Sequence, residues 1–248
     1  MRGEKMNEVI KQLTDHVSIR KFNDRAISEE NVNAILDAAM RGATAGNMMS
    51  YSIIKIRSKD TLKKLAASCD NQPFIADANL ALLFVVDNYK WHRFFELYGI
   101  PDAFPEYKGP IINDMILGMQ DAMIAAQNAV IAAESLGIGT CYIGDIMEQY
   151  EFHRQLFDLP EYTMPATLVV MGYYDKKPQR RSRFNRRFVV FDEQYKKIDD
   201  DFIRGMFSEY QDEDSDFAKK FYKRKMDAAF FAEMRRSLQL YLAQWMDL

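Results

Sequence analysis

The 248-residue chain has only two cysteines, Cys69 and Cys141. Their spacing matches no zinc or disulfide pattern, so both read as free thiols of a reducing compartment. The opening residues, MRGEKMNEVIKQL, hold no long apolar run, and no signal peptide is expected. The apolar stretches elsewhere read as too short to span a bilayer, so the expectation is a cytoplasmic protein with no membrane partner. No repeat of about 20–50 residues recurs, and no segment is low in complexity. Charge of one sign is lacking too. The net charge is −3, which offers nucleic acid no general attraction, so any anion site must be local. There is no nucleophile–base–acid triad. His92 and His153 stand in aromatic or helical contexts and read as structural or exposed.

What is present is an ordinary globular composition, 48% hydrophobic and 28% charged, enough for one large core or two small ones. Residues 5–15 carry Met6, Val9, Ile10 and Leu13 at helical spacing. A second helix is predicted over 28–41. Ser28 is its N-cap, Glu29 and Glu30 lie in its first turn, and Val32, Ile35, Leu36, Ala39 and Met40 form its stripe. Residues 52–56 and 60–68 read as strand and helix. Residues 80–86, LALLFVV, read as a strand buried on both faces. The aromatic, proline-punctuated stretch 89–110 reads as a surface excursion or lid. Residues 113–136 form the clearest helix, apolar on nearly every side and stopped by Gly137. A strand at 139–143, a helix at 148–157 and a buried strand at 167–172 follow. Beyond Phe191 the chain is charged, aromatic and helical, with helices predicted at 193–210 and 216–245. Strands interleaved with helices predict an α+β protein of mixed α/β layers. The division expected is a core over 1–192 and a C-terminal helical extension over 193–248, packing on that core or on a partner subunit.

Five stretches can carry chemistry. Arg180, Arg181 and Arg183 follow a buried strand, and guanidinium forks suit phosphate. In 16–22, HVSIRKF, residues His16, Ser18 and Arg20 alternate, so an extended backbone projects them to one side. The loop 42–50, GATAGNMMS, is small and polar, letting a backbone approach a flat ring. Asn71 and Gln72 carry matched donors and acceptors. Residues 139–145, GTCYIGD, are a strand opening into a glycine turn with free N–H groups. Taken singly, each also reads as a solvated loop. The basic stretch 176–187 lacks the interleaved aromatics of a nucleic-acid binder, and no such partner is expected.

In this order the stretches resemble the nitroreductase family of FMN proteins, and within it the oxygen-insensitive NADPH nitroreductase and NADPH–flavin oxidoreductase group. The most specific parts are HVSIRKF at 16–22, AQNAVIAAESLGIGTCYIGDI at 126–146 and GYYDKKPQRRSRF at 172–184. The resemblance implies a nitroreductase-like fold, a central mixed sheet flanked by helices, with the C-terminal extension in a homodimer. It implies non-covalent FMN as cofactor, reduced by NADPH or less readily NADH, and small-molecule electron acceptors: nitro compounds, quinones or free flavin, in a ping-pong cycle. A dedicated flavin reductase and a non-catalytic flavin-binding protein are the alternatives. By the same likeness, His16 and Ser18 lie toward the phosphate and ribityl chain, and Arg20 toward the pyrimidine edge. Thr44, Ala45 and Asn47 lie beside the ring, and Gln72 bonds ring or ribityl. Tyr142, Ile143, Gly144 and Asp145 cover one face, Arg181 and Arg183 clamp the phosphate, and Arg224 meets the 2′-phosphate of NADPH. No metal is implied, and no side chain is itself the reacting group; Arg20 gives electrostatic support. The chain departs from the family pattern at Val17, at Met49-Ser50-Tyr51 and at Asp145, where close relatives carry glycine.

Overall fold

The computed structural model describes residues 7–208 and 216–246. The chain divides into two compact units, one built from residues up to Pro178 together with Glu233 onward, the other from Gln179–Ala232.

The first unit is organised by one strand. β2 (Leu80–Asp87) is buried at each of its positions. Its even-numbered residues Leu80, Leu82, Phe84 and Val86 enter one core, and Ala81, Leu83 and Val85 enter another. A continuous apolar run is what a strand needs when both faces are covered. β1 (Tyr51–Ile56) flanks β2 on one side. β4 (Thr163–Gly172) and then β3 (Gly139–Ile143) follow on the other, giving the order β1-β2-β4-β3. The sheet expected to be mixed is antiparallel in each of these pairings: β1 and β4 run one way and β2 and β3 the other, so the connection from β2 to β3 crosses from one end of the sheet to the other. Pro165 lies in the interior strand β4 and is tolerated beside a register shift opposite Phe84 and Val85.

One face of the sheet carries α2 (Glu29–Met40) and α7 (Ile112–Ser135). Ser28 caps α2 by accepting from Asn31 N at 3.2 Å. Val32, Ile35 and Ala39 are buried as the periodicity predicts, but Met40 is exposed. The other face carries α3 (Lys59–Ser68), the single turn α4 (Phe74–Asp77) and α8 (Tyr150–Phe157), through Leu62, Leu65, Ile75 and Leu156. Helix α7 has 24 residues, so the expectation that no apolar stretch has membrane-spanning length is corrected. Its buried side is a core surface: Gly118, Ala122, Ala125, Ala126, Ala129 and Ala133.

The stretch read as a surface excursion or lid contains α5 (Tyr89–Leu97) and α6 (Ile100–Ala103), neither with a buried residue, held by aromatic contacts such as Trp91 edge-on to Phe94 at 5.6 Å. One more expectation is corrected. The predicted C-terminal helix is two, α10 (Asp216–Lys225) and α11 (Ala229–Leu242). The prediction at 193–210 reduces to α9 (Asp200–Met206), with residues 209–210 outside those described. α11 returns to the first unit, where Ser237 Oγ accepts from Tyr150 N and Trp245 Nε1 donates to Asn88 Oδ1 at 2.9 Å. In the second unit Phe188 packs edge-on against Phe202 of α9, with ring centroids 5.1 Å apart.

α1 (Glu8–Thr14) buries no residue, and Val9, Ile10 and Leu13 are exposed. After it the chain runs extended beside β3. Ile19 N donates to Thr140 O and Asn23 N to Tyr173 O, both at 2.8 Å. Gly139 and Gly172 face each other across β3 and β4, and that bare step receives Ile19 and Phe22. A Cβ at Gly139 would stand 2.5 Å from Ile19 Cγ1 and 2.7 Å from Tyr174 Cδ1. Gly139→Ala should therefore destabilise the protein by about 1–3 kcal/mol through overpacking. Urea denaturation measures it; an unchanged midpoint rejects the packing described.

Candidate active site

The extended segment puts three polar side chains at the outer edge of the sheet. His16 Nδ1 lies 2.6 Å from Glu134 Oε1, which also accepts from Thr140 Oγ1 at 3.1 Å. The Ser18 hydroxyl is hydrogen-bonded to the Cys141 thiol, and the charge of Arg20 also acts on that thiol. Burial nevertheless raises the Cys141 pKa above its ordinary value. The exposed Arg20 guanidinium stands 5.9 Å from the centroid of the Phe74 ring.

The second element is the connection between α3 and α4. Asp70 and Asn71 both adopt left-handed backbone, φ 53° and 50°, which costs roughly 1 kcal/mol or more per residue unless neighbours hold it. This reverses the chain so that the Gln72 side chain turns back. Its Nε2 donates to Cys69 O at 3.0 Å and to Asp145 Oδ2 at 2.7 Å. A backbone carbonyl only accepts, so the atom facing Cys69 O is the nitrogen, and the amide oxygen is left to accept from a ligand. The Cys69 thiol is fully buried, and burial pushes its pKa far up.

The third is the turn after β3. Tyr142 donates its hydroxyl to Gln127 of α7 at 3.2 Å, and Ile143 is buried. Gly144 is exposed, and a Cβ built on it meets nothing within 4 Å. Asp145 then turns toward Gln72. Ser18, Arg20, Gln72, Gly144 and Asp145 thus come together with Cys141 and Phe74 at one end of β3.

The loop 44–50 is built around a residue that sequence reasoning missed. Asp121 of α7 is 3% exposed and accepts from the Thr44 hydroxyl, from Ala45 N at 3.0 Å and from Ser50 N at 3.3 Å. Thr44 Oγ1 in turn accepts from Met49 N at 2.8 Å. The Thr44 hydroxyl is thereby engaged within the protein. Ala45 offers a backbone contact, and Asn47 is exposed at φ 58°. The missed signal is visible afterwards: Asp121 is the lone carboxylate within the alanine-rich buried side of α7. Glu148, buried beside Asp145, was missed as well. Of the remaining candidates, Arg181 and Arg183 belong to the second unit and are exposed there. Arg224 lies in the last turn of α10, with its guanidinium 5.5 Å from the centroid of the Phe221 ring. Among the described residues no group of His, Cys, Asp and Glu could hold a metal ion.

The chain and its fold have known counterparts. The profile of the Nitroreductase family matches residues 13–173, and the chain belongs to that family. It is 30% identical over 218 residues to the FMN reductase (NAD(P)H) of Bacillus subtilis, covering 87% of this chain and 84% of that one. It is 26% identical over 199 residues to the NADPH-flavin oxidoreductase of Vibrio harveyi, covering 80% and 79%. The solved structure of NfrA2 from B. megaterium superposes with a TM-score of 0.79 at 28% identity, covering 95% of this chain and 98% of that one. The nitroreductase-like fold expected from the sequence is therefore the fold of the chain.

Asp121→Ala leaves two backbone N–H groups and a hydroxyl without their charged acceptor. A loss of about 3 kcal/mol is expected, because bonds to a charged group are worth more than neutral ones. Hydrogen exchange at the Ala45 and Ser50 amides should accelerate together. Exchange unchanged at both amides would show that the loop is held by other means.

Proposed function

We propose that the chain is an NAD(P)H-dependent FMN oxidoreductase of the cytosol, passing hydride from the nicotinamide to nitroaromatics, quinones or free flavin. The observation that carries this reading is the convergence of Ser18, Arg20, Gln72 and the 143–145 turn at the exposed end of β3. Open space over Gly144 allows a flat ring to come against the backbone there. Around that space stand a guanidinium for ring acceptors, an amide oxygen for a ring N–H, and a hydroxyl for the ribityl chain, so the residues present fit FMN. Bound FMN would supply a ring nitrogen that takes up and releases hydride.

The protein contributes placement and charge. Arg20 stabilises negative charge that grows along the pyrimidine edge, a fixed cation needing no reorganisation. Asp121 holds the 44–50 loop, so Ala45 and Asn47 line one side; the buried Ile143 carries Gly144 and Asp145 on another, and Tyr142 is fixed by Gln127. His16 is oriented by Glu134 toward the phosphate end. The dinucleotide and the acceptor use the same opening in turn, a ping-pong cycle. Free flavin stands first among the acceptors, since relatives carry the names FMN reductase and NADPH-flavin oxidoreductase.

The working form is a homodimer. Ile116, Leu117, Met123 and Ile124 form an exposed apolar stripe on α7, and Val9, Ile10 and Leu13 add a second on α1. A second copy of this chain covering both would bury on the order of 2,000–5,000 Å².

Purified protein should be yellow and oxidise NADPH with a flavin, a quinone or a nitroaromatic. A colourless protein that neither takes up FMN nor oxidises NADPH rejects the proposal. Arg181 and Arg183 clamp the phosphate, so changing both to alanine should give protein that loses FMN on desalting. Full retention of flavin by the double variant removes them from the site.

Arg224 is assigned to the 2′-phosphate of NADPH, and a charge-assisted contact of this kind is worth roughly 1.5–3 kcal/mol. Arg224→Ala should raise KM for NADPH by about 10- to 150-fold and leave KM for NADH almost unchanged. Equal effects on both cofactors, or none, exclude this role.

A further inference from the structure

The Asp145 carboxylate lies between two unlike neighbours. One is Gln72 Nε2, at 2.7 Å. The other is the carboxyl of Glu148, three residues on and in hydrogen-bonding reach. Glu148 is 3% exposed, and its Oε1 has no partner among the described residues. Ionised carboxylates only accept, so this contact requires a proton between the two groups.

Among the described residues, no cation acts on Glu148 to replace that proton. The charged groups facing Glu148 are Asp145 on its own turn, Asp70 from the connection before α4, and Glu233 from α11. Glu233 is itself committed to Arg236 and to the Ser237 hydroxyl. His153 of α8 lies against the same residue but is neutral. Its Nδ1 is 2.7 Å from the Glu148 carbonyl oxygen and so carries the hydrogen, while its Nε2 faces the Ser68 hydroxyl at 2.8 Å. Burial also lowers the His153 pKa, which keeps the ring uncharged.

We propose that Asp145 and Glu148 share one proton, and that this pair positions Gln72 with its amide oxygen toward the flavin, making flavin affinity follow the proton. The inference rests on the flavin reading of the cleft. With the proton present the pair carries one negative charge, and Asp145 holds the Gln72 amide. Without it two negative charges stand side by side, repel each other and oppose the electron-rich edge and phosphate of FMN. Burial first, then the fields of Asp145, Asp70 and Glu233, raise the Glu148 pKa to about 8. The sign follows: flavin binds tightly below that pH and more weakly as pH rises through it.

The test uses apoprotein of the full chain and titrates FMN by quenching of its fluorescence across neutral and alkaline pH. In wild type the Kd should rise on the order of tenfold as the proton leaves. Glu148→Gln has the same shape and keeps a permanent N–H donor toward Asp145. It should retain the neutral-pH affinity and lose the rise. An undiminished rise in Glu148→Gln overturns the proposal. A second measurement does not depend on that variant folding. The infrared spectrum of wild-type apoprotein should show a protonated-carboxyl C=O band at neutral pH that disappears in alkali, and its absence also overturns the proposal. If wild type takes up no flavin at any pH, the flavin reading itself fails. If it binds flavin with one Kd throughout, that reading stands and the shared proton is excluded.

Discussion

Helix α7 can lie close to the sheet because the side it buries is mostly glycine and alanine. Gly118 marks the limit: a Cβ there would come 2.8 Å from Val86 Cγ1 and 2.9 Å from Ser50 O. That approach has an energetic term, the burial of Ala122, Ala125, Ala126, Ala129 and Ala133 between α2 and the sheet. It also has a positional one. With the axis fixed, the polar residues of α7 reach three separate backbone segments. Asp121 gathers the 44–50 loop, Gln127 holds Tyr142, and Glu134 binds His16 and Thr140. The candidate cleft is in this sense a by-product of one helix packing well.

Left-handed residues concentrate around the same place. Asn47 and Met49 lie in the loop held by Asp121, Asp70 and Asn71 precede Gln72, and Gln149 follows Glu148. Non-glycine residues adopt that backbone at a cost, and here each stretch has side-chain bonds that offset it. The Gln149 amide, for instance, donates to Glu233 at 3.2 Å. A site fixed in this manner is organised before any ligand arrives.

Much of this was legible in the sequence, and the reasons differ by element. The run LALLFVV announced β2 because burial on both faces leaves no polar alternation to disguise it. The long α7 was plain from its length and its stop at Gly137, where φ is 73°. The 89–110 stretch was opaque, since α5 draws its support from contacts among its own aromatic rings and Tyr107 rather than from a periodic buried face. The break between α10 and α11 was hidden by strong helix formers on both sides. In the site, the alternation of His16, Ser18 and Arg20 was readable because an extended segment has period two. Asp121 was not, because a lone acid on an apolar helix says nothing of which loop will reach it. Asp145 was noticed as a departure, but its meaning lay in Gln72 and Glu148, whose proximity only the fold creates.

Burial of both thiols has a chemical side. Cys69 and Cys141 are closed off from solvent, and desolvation holds each in its protonated form. Sulfur attacks electrophiles as the thiolate. Electrophiles and oxidants arylate or oxidise exposed thiolates, and this chain presents them with none from either cysteine. The same packing that builds one core of the sheet therefore acts as chemical armour for both sulfurs.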